Sequence, residues 1–175
     1  AHIMAESGMF MSPELVSGEP KNARFDAELT EDRDWRVHAS FDLQEAGGLA
    51  SEYSKRPWSE EDFKAADRAF ERFKEFTSIF YNAGGLLTTG TDDMKGIGGI
   101  MLHRELRIYQ EIGLTPLQVI RASTRQAASA LGRADIGYLY PGNLADLIVV
   151  YGDPSKNLKD LRNVRYVFVG GHAMV

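Results

Sequence analysis

Two adjacent carboxylates, Asp92 and Asp93, close a short apolar and β-branched run that begins at Leu86. This pattern predicts a strand over residues 86–92, with Asp92 at its C-terminal end. In proteins that alternate strands and helices, side chains at the C-terminal ends of parallel strands face the ligand crevice. A carboxylate in that place can bind a metal ion and accept a proton from metal-bound water. In the competing interpretation, either aspartate only caps the loop or the helix that follows.

The histidines do not supply an obvious metal site to accompany these carboxylates. The chain has four, His2, His38, His103 and His172, and no two are separated by two or four positions. His103 lies in the helix predicted after Asp92, where substrate binding or support of a metal ligand competes with plain packing. His38 lies in a poorly patterned stretch and His172 in a terminal turn, so neither is favoured as a ligand. We expect the first four residues, with His2, to be a cloning remnant.

Composition excludes several classes of function. The 175 residues suffice for one domain but are short for a closed eight-stranded α/β barrel, which typically needs about 250. The absence of cysteine excludes disulfides, thiolate metal sites and a cysteine nucleophile. A net charge of −5 argues against nucleic acid or an anionic membrane as the main partner. No apolar run approaches the ~18 residues of a membrane span, so we expect a cytoplasmic protein.

In the sequence, one predicted helix precedes this strand and two follow it. The first begins at the N-cap Ser59 and ends near Asn82, with an apolar stripe predicted to pack in the core. The second precedes Gly113, and the third runs from the capping box at residues 115–118 to Gly132. The predicted first stripe is Phe63, Ala66, Phe70, Phe73, Phe76 and Phe80. In the second helix the inner face is Leu102, Leu106 and Tyr109, and the outer or flanking residues are Arg104, Glu105 and Arg107. The third stripe is Leu117, Ile120, Thr124, Ala127 or Ala128, and Leu131.

Further strands are predicted on both sides of the helices. Residues 8–16 could form a short strand that ends near Pro13, and residues 35–41 alternate as a half-exposed strand would. Residues 145–151 are almost continuously apolar, which is typical of a strand covered on both faces. Residues 164–169 form another strand, followed by a hairpin-type turn at the glycine pair 170–171.

Several short motifs, in order and spacing, resemble the C-terminal part of the metal-dependent amidohydrolase superfamily. The closest branch is that of the imidazolonepropionase-like and Xaa-Pro-dipeptidase-like enzymes. The resemblance runs continuously from about Phe63 to Val175 and also takes in residues 8–16. The motifs are Thr89-Gly90-Thr91-Asp92, Leu102-His103-Arg104-Glu105-Leu106, Gly113-Leu114-Thr115-Pro116-Leu117, Ala122-Ser123-Thr124, Ala127-Ala128, Leu131-Gly132, Gly137, Pro141-Gly142, Ala145-Asp146-Leu147-Ile148-Val149 and Gly152-Asp153-Pro154.

The resemblance implies an α/β fold made of part of a (β/α)8 barrel and part of a small β-sandwich. Residues 5–140 would contribute the last two strand–helix units of the barrel, with 8–16 as the seventh strand and 86–92 as the eighth. Residues 141–175 would supply sandwich strands. Asp92 matches the family's last-strand aspartate, which binds a divalent metal, zinc first among them, and shuttles a proton between water and leaving group. Asp93 receives no role from the family.

The departures from the family pattern predict an incomplete site. The family's His-x-His pair, its bridging lysine or glutamate, and its histidines on the fifth and sixth strands are not found in this chain. A catalytic zinc needs about three protein ligands, and the resemblance supplies one, Asp92. We therefore expect this chain alone not to bind the metal fully.

Three functions remain open on these grounds. The first is the C-terminal portion of an amidohydrolase that hydrolyses C–N bonds of a small amide or dipeptide-like substrate. Its missing N-terminal part would be lost from the clone, absent from the gene or supplied by another polypeptide. The second is a non-catalytic oligomeric binding module. The third is a reduced, metal-independent hydrolase in which Asp92 and His103 form a general acid/base pair. Because two strands cannot close a barrel, open strand edges also predict that the chain is not a stable monomer and assembles as a homo-oligomer.

Overall fold

The computed structural model describes residues 1–19, 58–92 and 98–174. The predicted strand over residues 35–41, together with His38, lies outside the described residues, and so does Asp93. Those expectations stay predictions.

Five α-helices and five strands make up the regular structure of these residues. The helices are α1 (His2–Glu6), α2 (Glu60–Asn82), α3 (Gly98–Glu111), α4 (Pro116–Arg121) and α5 (Ala127–Ala130). The strands are β1 (Phe10–Met11), β2 (Leu86–Leu87), β3 (Leu147–Val150), β4 (Val164–Val169) and β5 (His172–Ala173). Two 3-10 helices span Leu15–Gly18 and Leu158–Arg162.

Helix α2 begins and ends where its sequence predicts. The Ser59 hydroxyl accepts a hydrogen bond from the Asp62 backbone N–H at 3.2 Å, and the Asp62 carboxylate accepts one from the Ser59 N–H at 2.8 Å. This reciprocal pair satisfies two backbone groups that the first helical turn leaves free. The predicted core stripe is only partly right. Phe70 and Phe80 are buried, whereas Phe73 is 37% exposed because the described residues do not cover that part of the helix.

The strands form two separate sheets. Strands β1 and β2 pair in parallel, with Phe10 opposite Leu86 and Met11 opposite Leu87. Strands β3, β4 and β5 form an antiparallel sheet in that order. The bounds predicted for the parallel pair were too long. The chain turns out of β1 at Glu14, whose φ is +51°, and enters the 3-10 helix, while β2 ends five residues before Asp92.

The antiparallel sheet is more exposed than its sequence predicts. A strand covered on both faces was expected over residues 145–151, but Ile148 is 49% exposed and Val149 is 39% exposed. Tyr166, paired with Val149 on β4, is 40% exposed. The prediction was wrong because a continuous apolar run records the chemistry of a strand and does not show whether another layer covers it.

Helix α4 continues into α5 through one π-helical segment at Ala122–Gln126. The buried positions are Val119, Ala122 and Ala128, whereas Leu117 and Leu131 of the predicted stripe are 58% and 74% exposed. A π turn adds a residue to the turn and rotates the helix face that follows it. This rotation accounts for the exposure of Leu131 after the π segment but not for that of Leu117, which lies before it. Ala128 of the predicted stripe is buried as expected, so the prediction was partly right.

The turn at Gly137 packs against this π segment at close range. Gly137 has a φ of +87°, and a Cβ there would lie 2.7 Å from the Ala128 Cβ and 2.8 Å from the Thr124 carbonyl oxygen. A side chain is therefore excluded both by the backbone conformation and by space.

The core lies between the helices and the parallel strand pair. Its most buried side chains come from helices α2, α3 and α4, from strand β2, and from the 3-10 helix that follows β1. Leu158 extends the core toward the antiparallel sheet, because its 3-10 helix packs on α3. The fully buried apolar residues include Leu15, Val16, Phe80, Leu87, Ile108, Tyr109 and Val119. Within the described ranges, none of the helices has the length and apolar character needed to cross a bilayer.

The substitution Gly137→Ala is expected to destabilise the fold more than Gly132→Ala. Both glycines have positive φ, +87° and +68°, but a Cβ at Gly132 meets nothing within 4 Å. The control therefore reports backbone strain alone, about 1 kcal/mol, and Gly137→Ala adds an overpacking penalty of about 1–3 kcal/mol. Urea unfolding followed by circular dichroism measures both. Equal losses in the two variants would show that the Gly137 turn tolerates the added methyl group.

Candidate active site

The C-terminal edge of the parallel strand pair brings two chain segments together. The Thr88 N–H donates a hydrogen bond to the Met11 carbonyl at 2.9 Å, which extends the ladder by one residue beyond β2. Residues 12–16, after β1, and residues 88–92, after β2, therefore leave the pair at the same edge. In α/β proteins this edge carries the ligand-binding loops.

Gly90 allows these two segments to touch. A Cβ at Gly90 would lie 2.6 Å from the Ser12 Oγ, 2.8 Å from the Glu14 Cγ and 2.9 Å from the Glu14 Oε1. The Glu14 side chain consequently lies directly against the backbone two residues before Asp92. Glycine is required here for space and not for a positive φ.

Asp92 and Glu14 share an unusual backbone conformation. Among the residues described, they are the two non-glycine residues with positive φ, +46° and +51° respectively. Aspartate enters the left-handed region more readily than most residues, whereas glutamate does so at some cost. Each follows one strand of the parallel pair, so both carboxylate-bearing residues lie on the loops that leave this edge. Asp92 is exposed and Glu14 is half-buried.

Helix α3 supports the same edge with a buried carboxylate. The Oε2 atom of Glu105 accepts a hydrogen bond from the Val16 N–H at 2.7 Å, and Glu105 is fully buried. Burial raises the pKa of Glu105 to about 7. The hydrogen bond from the Val16 N–H offsets part of that rise, and the Glu14 charge adds to it. The predicted outer position of Glu105 was wrong.

Tyr109 makes the corresponding link to the second segment. Its hydroxyl donates to the Thr88 carbonyl at 2.6 Å, and its side chain is fully buried. Burial, together with the neighbouring charges of Glu105 and Glu14, holds the pKa of Tyr109 well above its usual value. The hydroxyl therefore remains a neutral donor to Thr88.

A buried ion pair is a second link between α3 and the segment that follows β1. The Arg104 Nη2 lies 2.7 Å from the Glu19 Oε2, and the Arg107 Nη2 lies 3.2 Å from the Glu19 Oε1. Glu19 and Arg104 are 5% and 8% exposed. Arg104 was predicted on the outer or flanking surface, and that was wrong because Glu19 supplies a charge partner inside. Arg107 is half-buried, which agrees with its flanking placement.

Of the residues predicted to act, Asp92 lies at the candidate edge and His103 is half-buried on α3. In the part of the chain that the structure describes, no group of three or more His, Cys, Asp or Glu residues could hold a metal ion. The roles of Asp92 and His103 stay predictions. His2 and His172, which received no role, are exposed on α1 and β5.

Sequence reasoning missed Glu14, Glu105 and the polar function of Tyr109. One signal for Glu105 was present. It lies three positions after Leu102 and four before Tyr109, so helical spacing places it on the inner face with them. Glu14 had no comparable signal, since only the approach of Gly90 brings it to the edge.

This chain belongs to the amidohydrolase family, whose family model matches residues 3–174. The superfamily inferred from the ordered motifs is thereby confirmed. No curated protein sequence matches the chain significantly.

Solved structures support the same fold. An amidohydrolase crystal structure is 26% identical with a TM-score of 0.67, and the match covers 99% of this chain and 36% of that one. A Xaa-Pro dipeptidase with methionine bound in its active site is 23% identical, with a TM-score of 0.67 and coverage of 98% and 36%. The ochratoxinase of A. niger is 25% identical, with a TM-score of 0.59 and coverage of 66% and 27%. The chain thus has an α/β amidohydrolase fold and spans about 36% of the length of the first two structures.

The raised pKa of Glu105 predicts a specific pH dependence of stability. The folded-state pKa, about 7, exceeds the ordinary value of 4.5. The stabilising contribution of the protonated acid is therefore fully present below about pH 4.5 and is lost as the pH rises through about 7. The difference corresponds to about 3 kcal/mol in the free energy of unfolding.

The variant Glu105→Gln is expected to lose that dependence, because glutamine is an uncharged isostere of the protonated acid. The free energy of unfolding of Glu105→Gln minus that of the wild type is therefore expected to rise by about 2.5 kcal/mol from pH 5 to pH 8. Urea unfolding at both pH values measures the change. Glu75→Gln, at an exposed site on α2, is the matched control and is expected to follow the wild-type curve. Parallel curves for Glu105→Gln and wild type would contradict the prediction.

Proposed function

We propose that this chain is the C-terminal portion of an amidohydrolase that hydrolyses C–N bonds, with Asp92 as its one catalytic residue. Family membership supports a hydrolase of amide or peptide bonds. The observation that carries the assignment of Asp92 is its position on the loop after a parallel strand, at the edge where the two chain segments meet. The remaining groups of the site would come from residues outside this chain.

The parallel pair and the antiparallel sheet receive separate places in this proposal. Strands β1 and β2 are the seventh and eighth strands of a (β/α)8 barrel, and residues 5–140 are the barrel segment. Strands β3, β4 and β5, within residues 141–175, belong to a small β-sandwich. The parallel register of the first pair and the antiparallel order of the second sheet are both compatible with this division.

The described residues do not fit a complete metal site. Asp92 offers one oxygen ligand, but no group of three candidate ligands occurs in the described ranges, and a catalytic zinc needs about three. A divalent metal, zinc in the first instance, would therefore need further ligands from beyond the described residues. Zinc in such a site would lower the pKa of a bound water.

The chemistry assigned to this chain is proton transfer by the Asp92 carboxylate. It accepts a proton from the water that attacks the amide carbonyl carbon, and it returns that proton to the leaving nitrogen as the C–N bond breaks. Asp92 is exposed and therefore open to substrate. The substrate class is a small amide or dipeptide-like molecule, and the Xaa-Pro dipeptidase among the structural neighbours makes Xaa-Pro dipeptides the first compounds to assay. We place the protein in the cytoplasm.

The substitution Asp92→Asn tests this proposal in the full-length product of the gene that encodes this chain. Without a proton acceptor at this position, kcat for dipeptide or N-acyl amide hydrolysis is expected to fall by about 10²-fold or more. Asp67→Asn, at an exposed site on α2, is the matched control and should leave kcat unchanged. Full activity of Asp92→Asn would remove Asp92 from the mechanism.

The 175-residue chain alone is expected to carry much less than one zinc per chain, measured by plasma mass spectrometry, and near-stoichiometric zinc would contradict the incomplete site.

The second candidate function is a non-catalytic oligomeric module, favoured by the exposed antiparallel sheet. Val149 and Tyr166 face each other across β3 and β4 and are about two-fifths exposed. Contiguous exposed apolar surface of this kind marks association sites.

Light scattering coupled to size exclusion is expected to give a mass above the 19.5 kDa of one chain. The variant Val149→Lys places a charge on the apolar face and should lower that mass toward 19.5 kDa. Ser129→Lys, at an exposed position on α5, should not change it. A compact wild-type monomer would contradict association through this sheet.

A further inference from the structure

One face of helix α3 holds both segments of the candidate edge. Glu105 accepts the Val16 N–H at 2.7 Å, and Tyr109, one helical turn later, donates to the Thr88 carbonyl at 2.6 Å. Val16 follows β1 and Thr88 follows β2. Because side chains four positions apart lie on the same face of a helix, a single rigid element fixes both segments.

Burial makes this pair of contacts costly for the fold. Glu105 and Tyr109 are both fully buried, and Glu105 Oε1 has no hydrogen bond within the described residues. A buried carboxylate is destabilising unless its oxygens are well satisfied, and an apolar side chain of similar size would avoid that penalty. Packing alone therefore does not account for an acid at this position. Its distinctive capacity is to accept the Val16 N–H.

We propose that Glu105 and Tyr109 are positioning residues that set residues 12–16 and 88–92 relative to each other and thereby present Asp92 to substrate. The inference rests on the proposed role of Asp92. The contact between Gly90 and Glu14 joins the two segments directly, so a shift of either one moves the backbone that leads to Asp92. Tyr109 holds residue 88, four positions before Asp92, and Glu105 holds the loop on which Glu14 lies.

The ion pair between Glu19 and Arg104 provides a matched comparison. It also connects α3 to the segment after β1, and its residues are 5% and 8% exposed. Within the described residues, neither Glu19 nor Arg104 has a hydrogen bond to Thr88, so this pair is not the link between the two strand ends. Breaking it should lower the stability of the fold while Glu105 and Tyr109 keep both of their hydrogen bonds, so residues 88–92 should keep their conformation.

The first experiment measures backbone position in the 175-residue chain and needs no activity. In ¹⁵N–¹H spectra, Tyr109→Phe and Glu105→Ala are each expected to shift the amide resonances of residues 89–92. Glu105→Gln retains a carbonyl oxygen that can accept the Val16 N–H, so it should restore most of the wild-type positions. Glu19→Gln should leave residues 89–92 unshifted. Tyr109→Phe keeps the packing of the ring, which makes it the informative variant if Glu105→Ala does not fold.

The second experiment separates positioning from stability in the full-length enzyme. Tyr109→Phe is expected to lower kcat by about 10-fold or more with KM changed less than about twofold, because misplacing a catalytic group affects the transition state more than binding. Glu19→Gln should lower the melting temperature while kcat stays unchanged.

Unshifted residues 89–92 in Tyr109→Phe, or an equal shift in Glu19→Gln, would overturn the inference. So would a full-length enzyme in which Asp92→Asn abolishes activity while Tyr109→Phe leaves kcat intact. If Asp92→Asn is fully active while the resonance shifts occur as expected, the role proposed for Asp92 is wrong and the structural linkage by Glu105 and Tyr109 stands. The two failures are thus distinguishable.

Discussion

The hydrogen bond from the Val16 N–H to the buried carboxylate of Glu105 is the constraint on which the described architecture depends. It places the turn after β1 against helix α3, and the same helix reaches β2 through Tyr109. The bond is charge-assisted when Glu105 is ionised, which strengthens it, but burial disfavours the ionised form. Burial outweighs that strengthening, since the pKa of Glu105 is raised to about 7, and near neutral pH the protonated and ionised forms are about equally populated. The Glu105 carboxyl group therefore fixes the position of the turn after β1, while its burial lowers the stability of the fold.

Local features of the fold were predictable because their causes lie within a few residues. The capping box at Ser59 and Asp62, the hairpin after β4 and the start of α4 at Pro116 all follow from short-range patterns, and the structure confirms them. The environment of Glu105 was not predictable in this way. Its partner Val16 lies 89 residues away in the chain, and no pattern near Glu105 identifies that partner. Helical spacing indicated which face it occupies, but the usual exposure of glutamate argued for the opposite assignment.

The candidate site was predicted to a similar partial extent. Ordered motifs were sufficient to identify the family, because spacing over many short motifs is specific even when each motif is weak. The role that the same motifs give to Asp92 stays a prediction. The contact between Gly90 and Glu14 arises only when the two strands pair, and a lone glutamate after Pro13 carries no sign of it. Exposure of the antiparallel sheet was missed for a related reason. The apolar side chain of Ile148 indicates a strand that another layer could cover. Whether such a layer is present depends on residues distant in sequence, and Ile148 is 49% exposed.

The two sheets differ in the length of chain that must be closed to form them. Strands β4 and β5 are joined by the glycine pair at residues 170–171, so their pairing needs almost no loop closure. The parallel pair joins Phe10 to Leu86, and the loop between them contains all of α2. Loop-closure entropy rises with that separation and must be offset by contacts made only after closure. Of the two sheets, the parallel pair whose edge carries Asp92 therefore has the larger chain-entropy cost, and Glu105 and Tyr109 are among the residues whose contacts offset it.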